Sequence, residues 1–351
     1  MSRKPRLILS RQALASNYQR LSSFSGQSEC AASIKANAYG VGIDFVAPVL
    51  WEAGCRTFFV AYFEEALALK SVIPEAIIYV FHGFKASEFA AAAASKIRPV
   101  LNTLEDVHLP GVAALRPAVH VDTGMRRLGV PQYHHDQLLE VVSQCQPSLL
   151  MSHLASADEP LRPDSEQQRL LFDSVRSNLG SLCPPSSLAN TAGVLLGAPY
   201  HYDLVRPGIG LYGGSPDPSD PKGFEAVVTW QAQVVELQQV RQGETVGYGG
   251  SYVAPRDHRL ATIGLGYADG YLRALSGRGE VFVEGQSCPI VGRVSMDLIT
   301  VDVSSLASVN EGMWVEIMGP QISVDTVATK ANTIGYECLT RLGARMERVI
   351  V

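Results

Sequence analysis

From about residue 30 to 215 the chain alternates short apolar runs with longer segments whose apolar residues recur at helical spacing. The runs CAASIK (30–35), TFFVA (57–61), AIIYVF (76–81), IRPVLN (97–102), AVHVDT (118–123), SLLMSHL (148–154), SSLAN (186–190) and DLVRPG (203–208) read as buried strands. Segments between them, such as DFVAPVLWEAG, FEEALALKS and SEQQRLLFDSVRSNL, read as helices, with Gly54 where the first should stop. Eight such β-then-α units predict a (β/α)8 TIM barrel; a doubly wound sheet has the same rhythm and is the competing arrangement. After about Gly223 the texture changes. AVVTWQAQVVELQQV, RLATIGLGYADGY, GEVFVEG and LITVDVS are rich in β-branched residues and separated by glycine-bearing turns.

This predicts two domains, 1–223 and 224–351, an α/β barrel followed by an all-β domain, with the Pro- and Asp-rich stretch 215–223 as linker. Residues 5–10, inside RLILS and its flanks, are candidates to pair with the C-terminal sheet.

Composition narrows the function classes. Hydrophobic content of 46% and charged content of 18% suit a globular enzyme, and a formal net charge of −5 offers no basic footprint for nucleic acid. No apolar run reaches the roughly 18 residues a membrane span needs. The N-terminal segment lacks the apolar core and cleavage site of a secretory signal. Six cysteines without CxxC spacing indicate neither a zinc site nor a disulfide framework, so the expected setting is a reduced cytoplasm.

The chemistry collects at strand ends. Lys35 closes the first strand, Arg127 follows the fifth, His153 closes the sixth, Asn190 the seventh and Arg206 the eighth. Barrel active sites lie at that face, and phosphate groups are often held by the loops after strands seven and eight. Those loops are ANTAG and RPGIGLYGG, with a hydroxyl and backbone N–H groups exposed by glycine. A lysine beside a phosphate-type site suggests a Schiff base with pyridoxal phosphate, because an amine condenses with an aldehyde. Every residue also has a plain structural use. Lys35 could snorkel to water, His153 could be a satisfied core histidine, and Arg206 could be a rim ion pair. Thr191 could cap a helix, Tyr39 and Tyr336 could cap strands, Tyr248 could be a strand residue and Met296 could fill the β core.

The stretches IKANAYG, VDTGMRRLG, SHLASADE, LANTAG, LVRPGIGLYG, VGYGGSY, GYADGYLR, GRVSMD and GYECLTR, in this order from residue 33 to 342, resemble the alanine racemases. These are fold-type III pyridoxal 5′-phosphate enzymes. The resemblance implies two-base interconversion of L- and D-alanine on an aldimine of the cofactor, supplying D-alanine for peptidoglycan or consuming it. It implies that Lys35 carries the cofactor and is one base, while Tyr248, from the partner subunit of a homodimer with shared sites, is the other. Tyr39, Asn190, Thr191, Gly208, Ile209 and Tyr336 would bind the cofactor, and Arg206 would face its ring nitrogen. His153, bonded to Arg206, would help Tyr248. Arg127 and the Met296 N–H would take the substrate carboxylate. Tyr267 and Tyr336 would narrow the entrance, with Asp158, Arg273 and Arg293 on the approach. No metal is implied.

Three positions depart from the pattern. His120 stands where the family often has a carbamylated lysine, so Arg127 must be held another way, by chloride or by the neutral imidazole. Val41 replaces a histidine, and Arg126 adds charge near the mouth. The competing activities are a racemase of broader range acting on serine or basic amino acids, a non-catalytic pyridoxal phosphate carrier, and a decarboxylase. Residues 224–351 argue against the carrier, and Arg206 in place of an acid argues against the decarboxylase.

Overall fold

The computed structural model describes residues 4–217 and 223–351. The chain packs as two compact units, Ala15–Leu211 and, together, Met1–Leu14 with Tyr212–Val351. The division at Leu211/Tyr212 precedes the one expected at 223/224. Residues 218–222 of the expected linker lie outside the described residues.

The first unit is a closed parallel barrel. Strands Ala32–Ser33, Thr57–Val60, Ile77–Val80, Ile97–Leu101, Ala118–His120, Leu149–Met151 and Ser186–Ser187 pair in sequence order. The eighth, Leu204–Val205, pairs in parallel with Glu29–Cys30. Arg206 N donates to Ala189 O and Ser33 N to Pro207 O, each at 2.9 Å, so the eighth strand bridges the seventh and the first. These runs face both the barrel interior and the helical layer, which is why they are mostly apolar, and where one is not, as at Ser186–Ser187, the Ser187 hydroxyl donates to Leu204 O at 2.6 Å. Ala31, Phe59, Tyr79, Val100, Ala118, Leu149, Met151 and Leu204 fill the interior. Phe59 stacks on Tyr79 and on Phe81 with ring centroids 5.1 and 5.2 Å apart. Helices Ile43–Glu52, Phe63–Val72 and Asp164–Leu179 follow their strands where helical spacing placed them.

The second unit is an antiparallel barrel. Its long strand Val228–Val240 pairs with Trp314–Met318 through its first half and with His258–Ile263 through its second. The circuit closes through Ile299–Asp302, Gln286–Val291 and Glu280–Val283. Arg6–Leu9 runs antiparallel to Val228–Gln231 and parallel to Glu347–Ile350. The β-branched texture did not announce two short helices here, Val324–Ala331 and Gly335–Thr340. The first starts on Ser323, whose hydroxyl accepts from Thr326 N at 3.0 Å.

Candidate functional site

Lys35 stands just past the first strand, on an unusual turn. Ala36, Asn37, Ala38 and Tyr39 all have φ between 51° and 55°, one turn of left-handed helix without a glycine. Each such residue costs roughly 1–2 kcal/mol, so the turn must be held from outside. It is. Ala36 N donates to Glu65 Oε1 at 2.6 Å, Gly40 N to Ala36 O at 2.8 Å, and the Asn37 side-chain oxygen accepts from Ile43 N at 2.9 Å. Lys35 is exposed at the barrel rim, yet the surrounding protein depresses its pKa by desolvation, with a further push from the Arg127 guanidinium and an opposing pull from Glu65. Its Nζ lies 5.7 Å from the Phe81 ring centroid.

On the same face, Arg206 is buried, and among the described residues no carboxylate pairs with it. It donates to the Ser187 hydroxyl, to Ser152 O at 2.6 Å and to Leu188 O at 3.4 Å. Burial draws its pKa down to about 9, which leaves it charged at neutrality. The expected bond to His153 is not among these; strand-end carbonyls and a hydroxyl accept from the guanidinium instead. His153 still feels Arg206 as a charge, and burial followed by Arg206 and Arg127 holds its imidazole neutral. Thr191, buried at the start of the short helix Thr191–Leu196, accepts from Gly208 N at 2.9 Å and Gly210 N at 3.4 Å. Asn190 caps that helix through Gly193 N at 2.9 Å. A Cβ on Gly208 would run into the Tyr39 hydroxyl, so only glycine lets the eighth-strand loop approach there. Ile209 is fully buried beside it. Among the described residues this cradle gathers hydroxyls and backbone N–H groups with no acid in its bonds.

A cavity of about 340 Å³ is lined by Lys35, Phe81, His82, His120, Arg127 and His153, among others. His120 Nδ1 lies 2.8 Å from Asn102 Oδ1. The Asn102 amide nitrogen donates to Phe81 O and Val100 O at 2.9 and 3.2 Å, so Oδ1 accepts and His120 carries its proton on Nδ1. Burial, with Arg206, pushes the His120 pKa down to about 3. Val41 is fully buried, Arg126 is exposed with φ 56°, and Asp158 is exposed.

The remaining expected residues belong to the second unit. Tyr248 sits at the tip of the hairpin Thr245–Val246/Tyr252–Val253, flanked by Gly247, Gly249 and Gly250, all with positive φ, and is 71% exposed. Tyr267 and Met296 are also exposed, and their loops are laced by Tyr267 N to Ser295 O and Ala268 N to Met296 O, both 3.0 Å. Arg345 ties the two loops further, bonding Asp269 at 2.6 Å and Asp297 at 2.7 Å. Tyr336 lies half-buried in the helix Gly335–Thr340. Arg273 begins a short 3₁₀ turn, and Arg293 lies beside the Gly249 turn.

Sequence reasoning missed Glu65, Phe81, His82 and Asn102. Three of them share a signal that was available: Phe81, His82 and Asn102 end the third and fourth strands, where barrel sites collect. Among the described residues no cluster of His, Cys, Asp and Glu is placed to hold a metal ion, and no helix is long and apolar enough to cross a membrane.

A closed barrel with a desolvated amine and an acid-free donor cradle on one rim defines a class, the barrel enzymes suited to a phosphorylated carbonyl compound. Comparison with known proteins then gives the family. Residues 9–216 match the alanine racemase N-terminal domain and residues 227–350 the alanine racemase C-terminal domain. The chain belongs to the alanine racemase family. It is 44% identical to an alanine racemase of Methylobacterium nodulans, covering 98% of this chain and 95% of the relative. It is 42% identical to one of Brucella canis, covering 98% and 93%. Among solved structures, the alanine racemase of Bartonella henselae with covalently bound pyridoxal phosphate superposes with a TM-score of 0.92 at 37% identity over 99% of both chains. The biosynthetic alanine racemase of Pseudomonas aeruginosa superposes with a TM-score of 0.92 at 34% identity over 100% of both.

Proposed function

We propose that this chain is a pyridoxal phosphate-dependent alanine racemase that interconverts L- and D-alanine as a cytoplasmic homodimer with shared active sites. The observation that carries the reading is the pairing of a desolvated Lys35 with an acid-free cradle on the same barrel rim. The donor set fits the cofactor. Thr191 accepts two N–H groups and so turns its own proton outward, and Tyr39 and the Gly208–Ile209 backbone stand beside it. These residues, with Asn190 and Tyr336, would hold the phosphate end, and Lys35 would hold the aldehyde carbon. Bound pyridoxal phosphate supplies the carbonyl that captures the substrate amine and the conjugated ring that spreads the charge left at Cα. Arg206 would take the ring-nitrogen end and, as a buried cation, keep that nitrogen free of a proton.

The chain's own residues account for the rest. Lys35 Nζ, with its pKa lowered, removes or returns the Cα proton on one face. Tyr248 of the partner subunit serves the opposite face. Its 71% exposure on a glycine-rich tip supports that assignment, as do the exposed Tyr267 and Met296. Arg127, exposed at the cavity, and the Met296 N–H orient the carboxylate, while Asp158, Arg273 and Arg293 line the approach. Neutral His120 and His153 withhold positive charge from a rim already carrying three cations, and His153 would assist the tyrosine.

The test is to incubate the cofactor-loaded protein with L-alanine, L-serine and L-lysine separately and quantify the D-enantiomers. D-Alanine forming fastest supports the reading. Faster D-serine or D-lysine would replace it with a broader racemase, and cofactor binding without any racemisation would replace it with a carrier.

A further inference from the structure

The Lys35 turn is bound to a side chain that no motif singled out. Glu65 is the third residue of the helix Phe63–Val72, and its Oε2 accepts from Tyr62 N at 3.2 Å and Ala61 N at 2.8 Å. That is a helix-start device, a carboxylate folding back over the residues before its own helix. Asp106 repeats it two units later. Its Oδ2 accepts from Thr103 N at 2.9 Å and Asn102 N at 2.8 Å, at the same sequence offsets. One carboxylate oxygen is therefore enough to start the helix and tie it to its strand.

Glu65 has a second oxygen in use. Oε1 accepts from Ala36 N at 2.6 Å, the first of the four left-handed residues and the neighbour of Lys35. The strand ending at Ser33 lies beside the strand ending at Val60, so the carboxylate staples two adjacent strand exits. Both oxygens must accept, because all three partners are N–H groups. An amide cannot do this: one of its ends donates. An aspartate, one methylene shorter, serves the helix start at position 106 but would fall short of Ala36.

We infer that Glu65 is a positioning residue for Lys35: its Oε1 clamps the left-handed turn and thereby fixes the amine at the barrel rim. The inference deepens the racemase reading and rests on it only for the kinetic part of its test.

Glu65→Asp and Glu65→Gln should both keep the helix start through one oxygen and release Ala36. Glu64→Gln removes the same charge from the same helix turn without touching either bond, and serves as the control. Hydrogen exchange of the amides in residues 36–40, measured on the purified protein without substrate, should quicken by about 10-fold or more in both Glu65 variants and not in the control. Racemisation should lose about 10- to 100-fold in kcat with KM nearly unchanged, since substrate contacts remain while the base is misplaced. Where Glu65→Gln fails to fold, Glu65→Asp carries the test, with the Asp106 arrangement as its precedent. Wild-type exchange at residues 36–40 in both variants, or kcat within twofold of wild type, overturns the clamp. A wild-type protein that does not racemise would instead sink the racemase reading, and the exchange result would still decide the role of Glu65.

Discussion

Lys35 and Tyr248 are held in opposite ways. Lys35 sits on four consecutive left-handed residues fixed by Glu65, Asn37 and backbone bonds, a costly geometry that the chain maintains by itself. Tyr248 sits between glycines on a two-strand hairpin, where positive φ is cheap, and most of its surface faces solvent. One residue is organised within its own unit. The other is presented and left for something else to fix. The difference separates a residue fixed within its own unit from one presented on an exposed tip, and the experiments below press on the proposal that the second serves a partner's site.

Removing the self-organised half should have the largest effect. Lys35→Ala is expected to lower racemisation by about 10³-fold or more and to abolish borohydride-stable attachment of the cofactor. Peptide mapping of the reduced wild-type protein checks this, and a label on any other lysine breaks the assignment. Tyr248→Phe should lose about 10²- to 10⁴-fold. Mixing the two inactive variants under subunit exchange should restore roughly a quarter of wild-type activity, because half the dimers are mixed and each has one intact site. Tagged mixed dimers that stay inactive would mean that both bases come from one chain.

A smaller effect is expected at Arg206. Arg206→Lys cannot reach Ser187, Ser152 and Leu188 together, and denaturant unfolding should show a loss of about 1–3 kcal/mol with weaker cofactor retention. The smallest concerns His120. Its folded pKa of about 3 lies below the ordinary value, so the unfolded state binds the extra proton between pH 6.5 and 3. The stability it contributes is complete above that window and falls as pH drops through it. Its ring resonances should therefore stay at neutral positions from pH 8 to 5 in an NMR titration. Because an imidazole forms no stable carbamate, activity in degassed buffer should equal that with bicarbonate.

Much of this was legible in residue order. All eight barrel strands fall within the predicted runs, since strands buried on both sides are mostly apolar. Lys35 stood out as the charge ending one of them. Its turn did not, because KANAY has ordinary right-handed propensities and its handedness comes from bonds to Glu65 on another unit of the barrel. Asn102 was hidden for the same reason: only the fold brings the ends of the fourth and fifth strands together. Arg206 ends the eighth strand where the residue order placed it, but which acceptors take its donors depends on neighbouring strand ends.

The parallel pairing of Arg6–Leu9 with Glu347–Ile350 has a consequence for biosynthesis. The β unit encloses the barrel in sequence, as a frame made of the first segment and the last. At ribosomal rates the segments are produced on the order of tens of seconds apart. Until Val228–Gln231 is made, the barrel can close while Leu7 and Leu9, both core residues, have no partner strand. The nascent chain therefore carries one open edge of that strand until Glu347–Ile350 is made, a place where a foreign strand can pair.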